Sequence, residues 1–247
     1  MGRKRTPEHE IIPALALQFF SLSIPCIYYG REQALSYNGP PRDPGYEVEY
    51  LAAEGWGTGD WFLREAMFGP EHPLRDAAQG TALDVAMPGF GPFGTSGFHC
   101  FDEQHPVFVR IALLLALRKR HPALRVGRQY QRPLGRFGWG NLDYPGGDII
   151  AWSRILDDPE FVVVINSHSL EPRGADVLVD LNLNGPGSVL SVLANTAEQA
   201  ALVAGAAYQE KKDPMGSHIP VQRVPAGPAF VTVSDVGPSE VIVLGRP

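Results

Sequence analysis

The sequence predicts an α/β segment, in which helices cover a short parallel strand, followed by an all-β antiparallel sandwich. Two observations lead there. Near the N-terminus an apolar helical stretch runs directly into Ile24-Pro25-Cys26-Ile27-Tyr28-Tyr29-Gly30-Arg31-Glu32, a β-branched and aromatic run closed by a chain-reversing glycine. From Asp148 onward, short β-branched runs alternate with Asp-Asp-Pro, Asn-Gly-Pro and Val-Gly-Pro turns.

Each element has a local cause. Thr6 is suited to cap a first helix, with Pro7 at its first position and Glu8 and Glu10 in the turn that favours negative charge. That helix extends to about Ser21, with Pro13 marking a kink or restart and Leu15, Phe19 and Leu22 on one face. Pro25 fits the first position of the strand that follows, in which Cys26 is a small buried hydrophobe. A second helix begins at Pro106, with Phe108, Ile111, Leu114, Leu115 and Arg118 as its stripe. His121-Pro122 ends it, because proline pushes the preceding residue out of the α region. His105 and His121 are boundary residues, suited to capping or a surface place rather than to base catalysis. The predicted strands are 148–155, 161–167, 176–183, 188–193, 218–224, 229–233 and 240–244, while 197–207 is open between a short helix and a loop.

The run from Pro25 to Glu32 resembles the eighth strand of the α-amylase family, glycoside hydrolase family 13, whose pattern Gly-x-Pro-x-x-Tyr-Tyr-Gly-x-Glu closes a (β/α)8 barrel. Ser23 stands where that pattern has glycine. Arg64-Glu65-Ala66-Met67-Phe68 and the stretch from His105 to Arg128 are similar to the loop and last barrel helix of the family, and the alternating segments after Asp148 to its C-terminal β-sandwich. The resemblance implies a partial (β/α)8 barrel end over residues 1–135, with a long loop at 34–100, and a β-sandwich domain over 136–247. It also implies seven further barrel strands upstream of Met1. That N-terminal barrel segment is then a partner of the present chain.

The resemblance further implies retaining cleavage or transfer of α-glucosidic bonds, with an α-glucan or oligosaccharide as substrate. The family's nucleophilic aspartate, acid/base glutamate and stabilising aspartate follow strands four, five and seven, and no segment of this chain matches those motifs. The expected chain is therefore a C-terminal fragment without catalytic residues of its own, and the alternative is a noncatalytic carbohydrate-binding or partner-binding protein.

Chemistry in parallel α/β folds gathers where strands end. Tyr28, Tyr29, Arg31 and Glu32 occupy that rim and are the candidate substrate-binding residues, together with Trp56 and Trp61 of the long loop, whose flat faces suit stacking on sugar rings. Two readings of Glu32 stand level: a site carboxylate, or one half of an ion pair with Arg31, Arg64 or another cation that holds the loop. Most other aromatics of the loop, including Tyr46, Tyr50, Phe62, Phe68, Phe90, Phe93 and Phe98, are expected to form a satellite core.

Composition narrows the partners. A hydrophobic fraction of 44% supports a core, and a net charge of −6 speaks against nucleic acid. Arg118-Lys119-Arg120 is explained by the helix dipole. Two cysteines make no disulfide framework, and adjacent His99 and Cys100 lack metal-ligand spacing, so neither metal nor cofactor is expected. Arg3, Lys4 and Arg5 before the apolar run 11–30 mimic a signal or membrane segment, but Gln18, Ser21, Ser23 and two prolines interrupt it. No membrane partner is expected, and a soluble chain is, with the cytoplasm favoured.

Overall fold

A computed structural model describes residues 8–28, 30–33, 103–136, 147–185, 187–205 and 213–246. The chain divides into two units, Met1–Ile27 with Gln104–Pro247, and Tyr28–Glu103. Thr6, Pro7, Tyr29, the loop 34–100 with its aromatics, and segment 64–68 lie outside the described residues.

In the larger unit, helix α1 spans Glu8–Phe20 and carries Pro13 inside it. Its buried residues, Ile12, Leu15, Ala16, Phe19 and Phe20, recur at the helical spacing of three and four. Leu22, expected on that face, lies past the helix end and is 66% exposed. The strand expected next is not found. Residues 24–28 have no regular structure, Ile24 is 95% exposed, and Cys26 is exposed rather than buried. A strand exists only through its neighbours' hydrogen bonds, and every described strand pairs within the two antiparallel sheets instead.

Helix α2 spans Pro106–Arg120, with His105 as its cap: the ring Nδ1 accepts from the Val107 amide at 3.2 Å. His121 takes extended backbone before Pro122, as expected. The buried face differs from the predicted stripe. Val107, Val109, Ile111, Leu114 and Leu117 are buried, whereas Phe108 and Leu115 are only half-buried. The helix packs on both α1 and α4 (Thr196–Val203), so it buries two sides rather than one. A one-turn helix, α3 (Ala123–Val126), follows and ends at Gly127. A Cβ there would lie 2.4 Å from the Ala123 carbonyl oxygen and 2.8 Å from that of Ile155, so the helix can meet the sheet only through glycine.

Among the described residues ten strands make the sandwich: β1 (Arg128–Gln131), β2 (Leu134–Arg136), β3 (Ile149–Ile155), β4 (Glu160–Asn166), β5 (Arg173–Val179), β6 (Val189–Asn195), β7 (His218–Pro220), β8 (Gln222–Arg223), β9 (Ala229–Val236) and β10 (Val241–Gly245). One sheet has the order β1-β3-β4-β10-β6-β7 and the other β2-β5-β9-β8, with every pair antiparallel. Between them lies one apolar core, to which the sheets contribute Ala151, Val162, Val164, Val177, Val192, Val231, Val233, Ile242 and Leu244.

Strand β4 is buried along its whole length. Val162 and Val164 enter the sandwich core, and the alternate residues Phe161, Val163 and Ile165 point to the other face, where α1 and α3 pack. A continuous apolar run is thus the mark of a strand covered on both sides.

Two of the expected strands need correction, and one segment left open takes a definite form. The sheets begin at Arg128, where β1 pairs Arg128–Gln131 with Ile155–Trp152, and β2 pairs with β5. The strand expected over 176–183 is shifted to Arg173–Val179, since the Asp180 carboxylate accepts from the Asn182 and Leu183 amides and turns the chain. The run 218–224 is two strands, β7 and β8, which belong to different sheets. Residues 197–207 resolve toward helix: the Asn195 side chain accepts from the Ala197 and Glu198 amides and starts α4.

Candidate functional site

The candidate residues Tyr28, Arg31 and Glu32 belong to the second unit and share one short turn. Gly30 adopts φ 85°, the left-handed conformation that glycine reaches without steric cost, so the chain does reverse there. A 3-10 helix over Arg31–Gln33 follows, tied by bonds from the Arg31 amide to the Tyr28 carbonyl at 3.2 Å and from the Gln33 amide to the Gly30 carbonyl at 3.0 Å. Tyr28 is 44% exposed, Arg31 is exposed, Glu32 is half-buried and Gln33 is buried. Among the described residues no cation lies within ion-pair distance of Glu32. The turn thus presents an aromatic ring, a guanidinium and a carboxylate within five residues, groups able to stack on and hydrogen-bond a polar ligand. Tyr29, Trp56 and Trp61 lie outside the described residues.

The buried polar side chains of the larger unit form three clusters that sequence reasoning passed over. The first gathers at the carbonyl ends of α1 and α3. Trp152 Nε1 and Arg154 Nη1 both donate to the Phe20 carbonyl, at 2.9 and 2.7 Å, and Arg118 Nε donates to that of Phe19 at 2.7 Å. Arg154 Nη2 reaches the Gly127 and Arg125 carbonyls, at 2.8 and 3.2 Å. These carbonyls carry the negative ends of two helix dipoles, which is why a fully buried guanidinium is held here by oxygens of the backbone. Burial, and then the positive charge of Arg118, lower the pKa of Arg154. Burial, and then Arg125, do the same to Arg118. The signal available in the sequence was a tryptophan and an arginine two residues apart in a strand, on one face.

In the second cluster the Glu160 carboxylate is fully buried and takes two donors on each oxygen: Arg132 Nη2 and Ser153 Oγ at 2.5 Å on one, Asn184 Nδ2 at 2.5 Å and the Asp180 amide at 2.9 Å on the other. In the third, Glu240 accepts from Arg110, at 2.5 Å from Nη2, and from the Thr196 hydroxyl, which joins α2 and the start of α4 to β10. Both carboxylates have their lone pairs engaged, the arrangement of structural ion pairs. Among the described residues no group of three or more His, Cys, Asp or Glu side chains is placed to hold a metal ion. No described helix is long and apolar enough to cross a membrane.

His121 is held at the end of α2 by a ring contact. Its ring packs on Phe161, with centroids 4.7 Å apart, and burial followed by the charge of Arg120 lowers its pKa from 6.5. The neutral ring is thus favoured by folding. Its contribution is present above 6.5 and is lost as pH falls from there through the lowered value, because the unfolded chain then binds the proton first. Thermal melts of the parent and of His121→Phe at pH about 7.5 and about 5 are expected to show a larger acid-induced fall in the parent. Equal falls in the two chains would refute this.

No protein-family model matches the chain, and no curated protein is similar to it in sequence. Solved structures match by fold. An isomaltulose synthase from Klebsiella sp. LX3 is 14% identical, with TM-score 0.53, over 97% of this chain and 38% of the synthase. The trehalulose synthase from Pseudomonas mesoacidophila MX-45 is 12% identical, with TM-score 0.53, over the same shares of the two chains. The chain therefore has the fold of a part, little over a third, of these enzymes.

Proposed function

We propose that this chain is the C-terminal portion of an α-amylase-like glycoside hydrolase or glucanotransferase acting on α-glucosidic bonds, comprising the end of the barrel and the β-sandwich domain, and that it does not turn over substrate by itself. The observation that carries the reading is the Pro25–Glu32 pattern, with its Tyr-Tyr-Gly-x-Glu ending, in a chain whose fold matches part of two sugar-converting synthases over 97% of its length. In this reading Tyr28, Tyr29, Arg31 and Glu32 face the sugar, and Trp56 and Trp61 stack on it.

Retaining chemistry needs two carboxyl groups about 5 to 5.5 Å apart across the scissile bond. The segments that supply them in the family have no counterpart in this sequence. Glu32 is accordingly a binding or orienting group here and not the nucleophile. The alternative, a noncatalytic carbohydrate-binding protein, draws on the partly exposed ring of Tyr28.

The purified chain is expected to show no hydrolysis of starch, maltooligosaccharides or an activated aryl α-glucoside, since losing a catalytic group that acts as a unit costs several orders of magnitude in rate. Turnover by the parent that disappears in Glu32→Gln would overturn the reading and make Glu32 catalytic. Absence of turnover with measurable glucan affinity, lost on Tyr28→Ala, would favour the binding protein.

A further inference from the structure

We propose that the end of the larger unit where α1, α2 and α3 terminate binds a small ligand carrying two or more phosphate groups, held by the exposed side chains of Lys119, Arg120, Arg125 and Arg128. The charge distribution along the chain carries this inference. Residues 104–142 hold eight of the 21 Lys and Arg and none of the 27 Asp and Glu, which leaves 13 cations against 27 carboxylates in the rest of the chain.

Six cations lie on or bonded to the residues that end these helices: Arg118, Lys119 and Arg120 in the last turn of α2, Arg125 in α3, Arg128 just after it, and Arg154, which reaches the Phe20 and Gly127 carbonyls. Arg118 and Arg154 spend their guanidinium groups on backbone carbonyls, and Arg125 spends Nη1 on that of Lys119. Lys119, Arg120, Arg125 and Arg128 are exposed, and none of the six forms an ion pair with a described carboxylate. Burial chiefly, and then a neighbouring guanidinium, lower the pKa of both Arg118 and Arg154: Arg125 acts on Arg118, and Arg118 on Arg154.

Helix dipoles do not absorb this excess. Three helix C-termini supply about −1.5 charges in all. Asp157 and Asp158 follow Ile155, the cross-strand partner of Arg128, and make no ion pair with the cluster. Counting both in full still leaves a surplus of about 2.5 positive charges among the described residues. Guanidinium groups match phosphate oxygens with paired N–H donors, so a multiply phosphorylated molecule fits this surplus better than a single carboxylate does. A nucleic acid fits it less well. The one aromatic ring of the neighbouring β1, Tyr130, already faces Arg132 at 5.7 Å, which leaves no row of stacking rings on that strand among the described residues, and the rest of the chain is acidic.

The test is titration of the full chain with inorganic tripolyphosphate by calorimetry, at low salt and at about 0.2 M salt. Binding that weakens at least several-fold at the higher salt is expected, with a further loss of about ten-fold or more in the triple variant Lys119→Gln, Arg120→Gln, Arg128→Gln. The three side chains are exposed, so the thermal melt of the variant should match the parent. If it does not, Arg120→Gln alone is read, with a loss of a few-fold expected. Failure of the parent to bind, or equal affinity in parent and variants, would overturn the proposal. Tighter binding of a short DNA duplex than of tripolyphosphate would overturn the small-ligand assignment in favour of nucleic acid.

Discussion

Glu160→Ala is expected to destabilise the sandwich by about 3 to 5 kcal/mol, the cost of stranding a buried partner without its counter-charge. The side chain of Arg132 is only 9% exposed and would keep its charge with the carboxylate gone. Ser153, Asn184 and the Asp180 amide would lose an acceptor at the same time. Glu160→Gln separates the two contributions. It retains one acceptor oxygen but places an amide donor among donors, so an intermediate loss is expected. Urea unfolding followed by tryptophan fluorescence measures both, and a loss below about 1 kcal/mol for Glu160→Ala would show that water enters and satisfies the site. A typical domain has about 5 to 15 kcal/mol in total, so this one side chain decides a large share of it.

Trp152→Ala is expected to cost about 3 to 5 kcal/mol through the cavity it leaves between the sandwich and α1. The indole is 2% exposed and bonds the last carbonyl of α1. Trp152→Phe keeps most of the packing and removes only that bond. Because Arg154 still donates to the same oxygen, its cost should be about 1 kcal/mol or less. Comparable losses in the two variants would mean that the hydrogen bond, not the packing, holds the helix end.

The parts of the fold legible in the sequence were those in which one local rule decides. Helix α2 begins at a proline and ends before another, and β3, β4, β6, β9 and β10 are apolar or β-branched runs bounded by turn residues. Strand β1 was not legible because Arg128-Gln129-Tyr130-Gln131 has no apolar alternation; all four residues are exposed, and it exists through its pairing with β3. The same limit explains the reverse error at 24–28, where propensity favours a strand and no neighbour is present among the described residues. In the candidate site, the glycine turn at residue 30 could be read from its flanking residues. For the clusters around Arg154 and Glu160 only the Trp152 and Arg154 pair was readable, since their other partners, such as Phe20 and Asn184, lie tens of residues away and become neighbours only after the sheets form.

The bond between Trp152 and Phe20 spans 132 residues. During synthesis at about 5 to 20 residues per second, α1 therefore emerges about 7 to 26 s before the strand that anchors its end. For that interval Ile12, Leu15, Phe19 and Phe20 have no β3 or β4 to cover them. The nascent chain is then a natural client for chaperones that bind short apolar helices, and slowing translation ahead of residue 152 should lower the soluble yield more than slowing it afterwards.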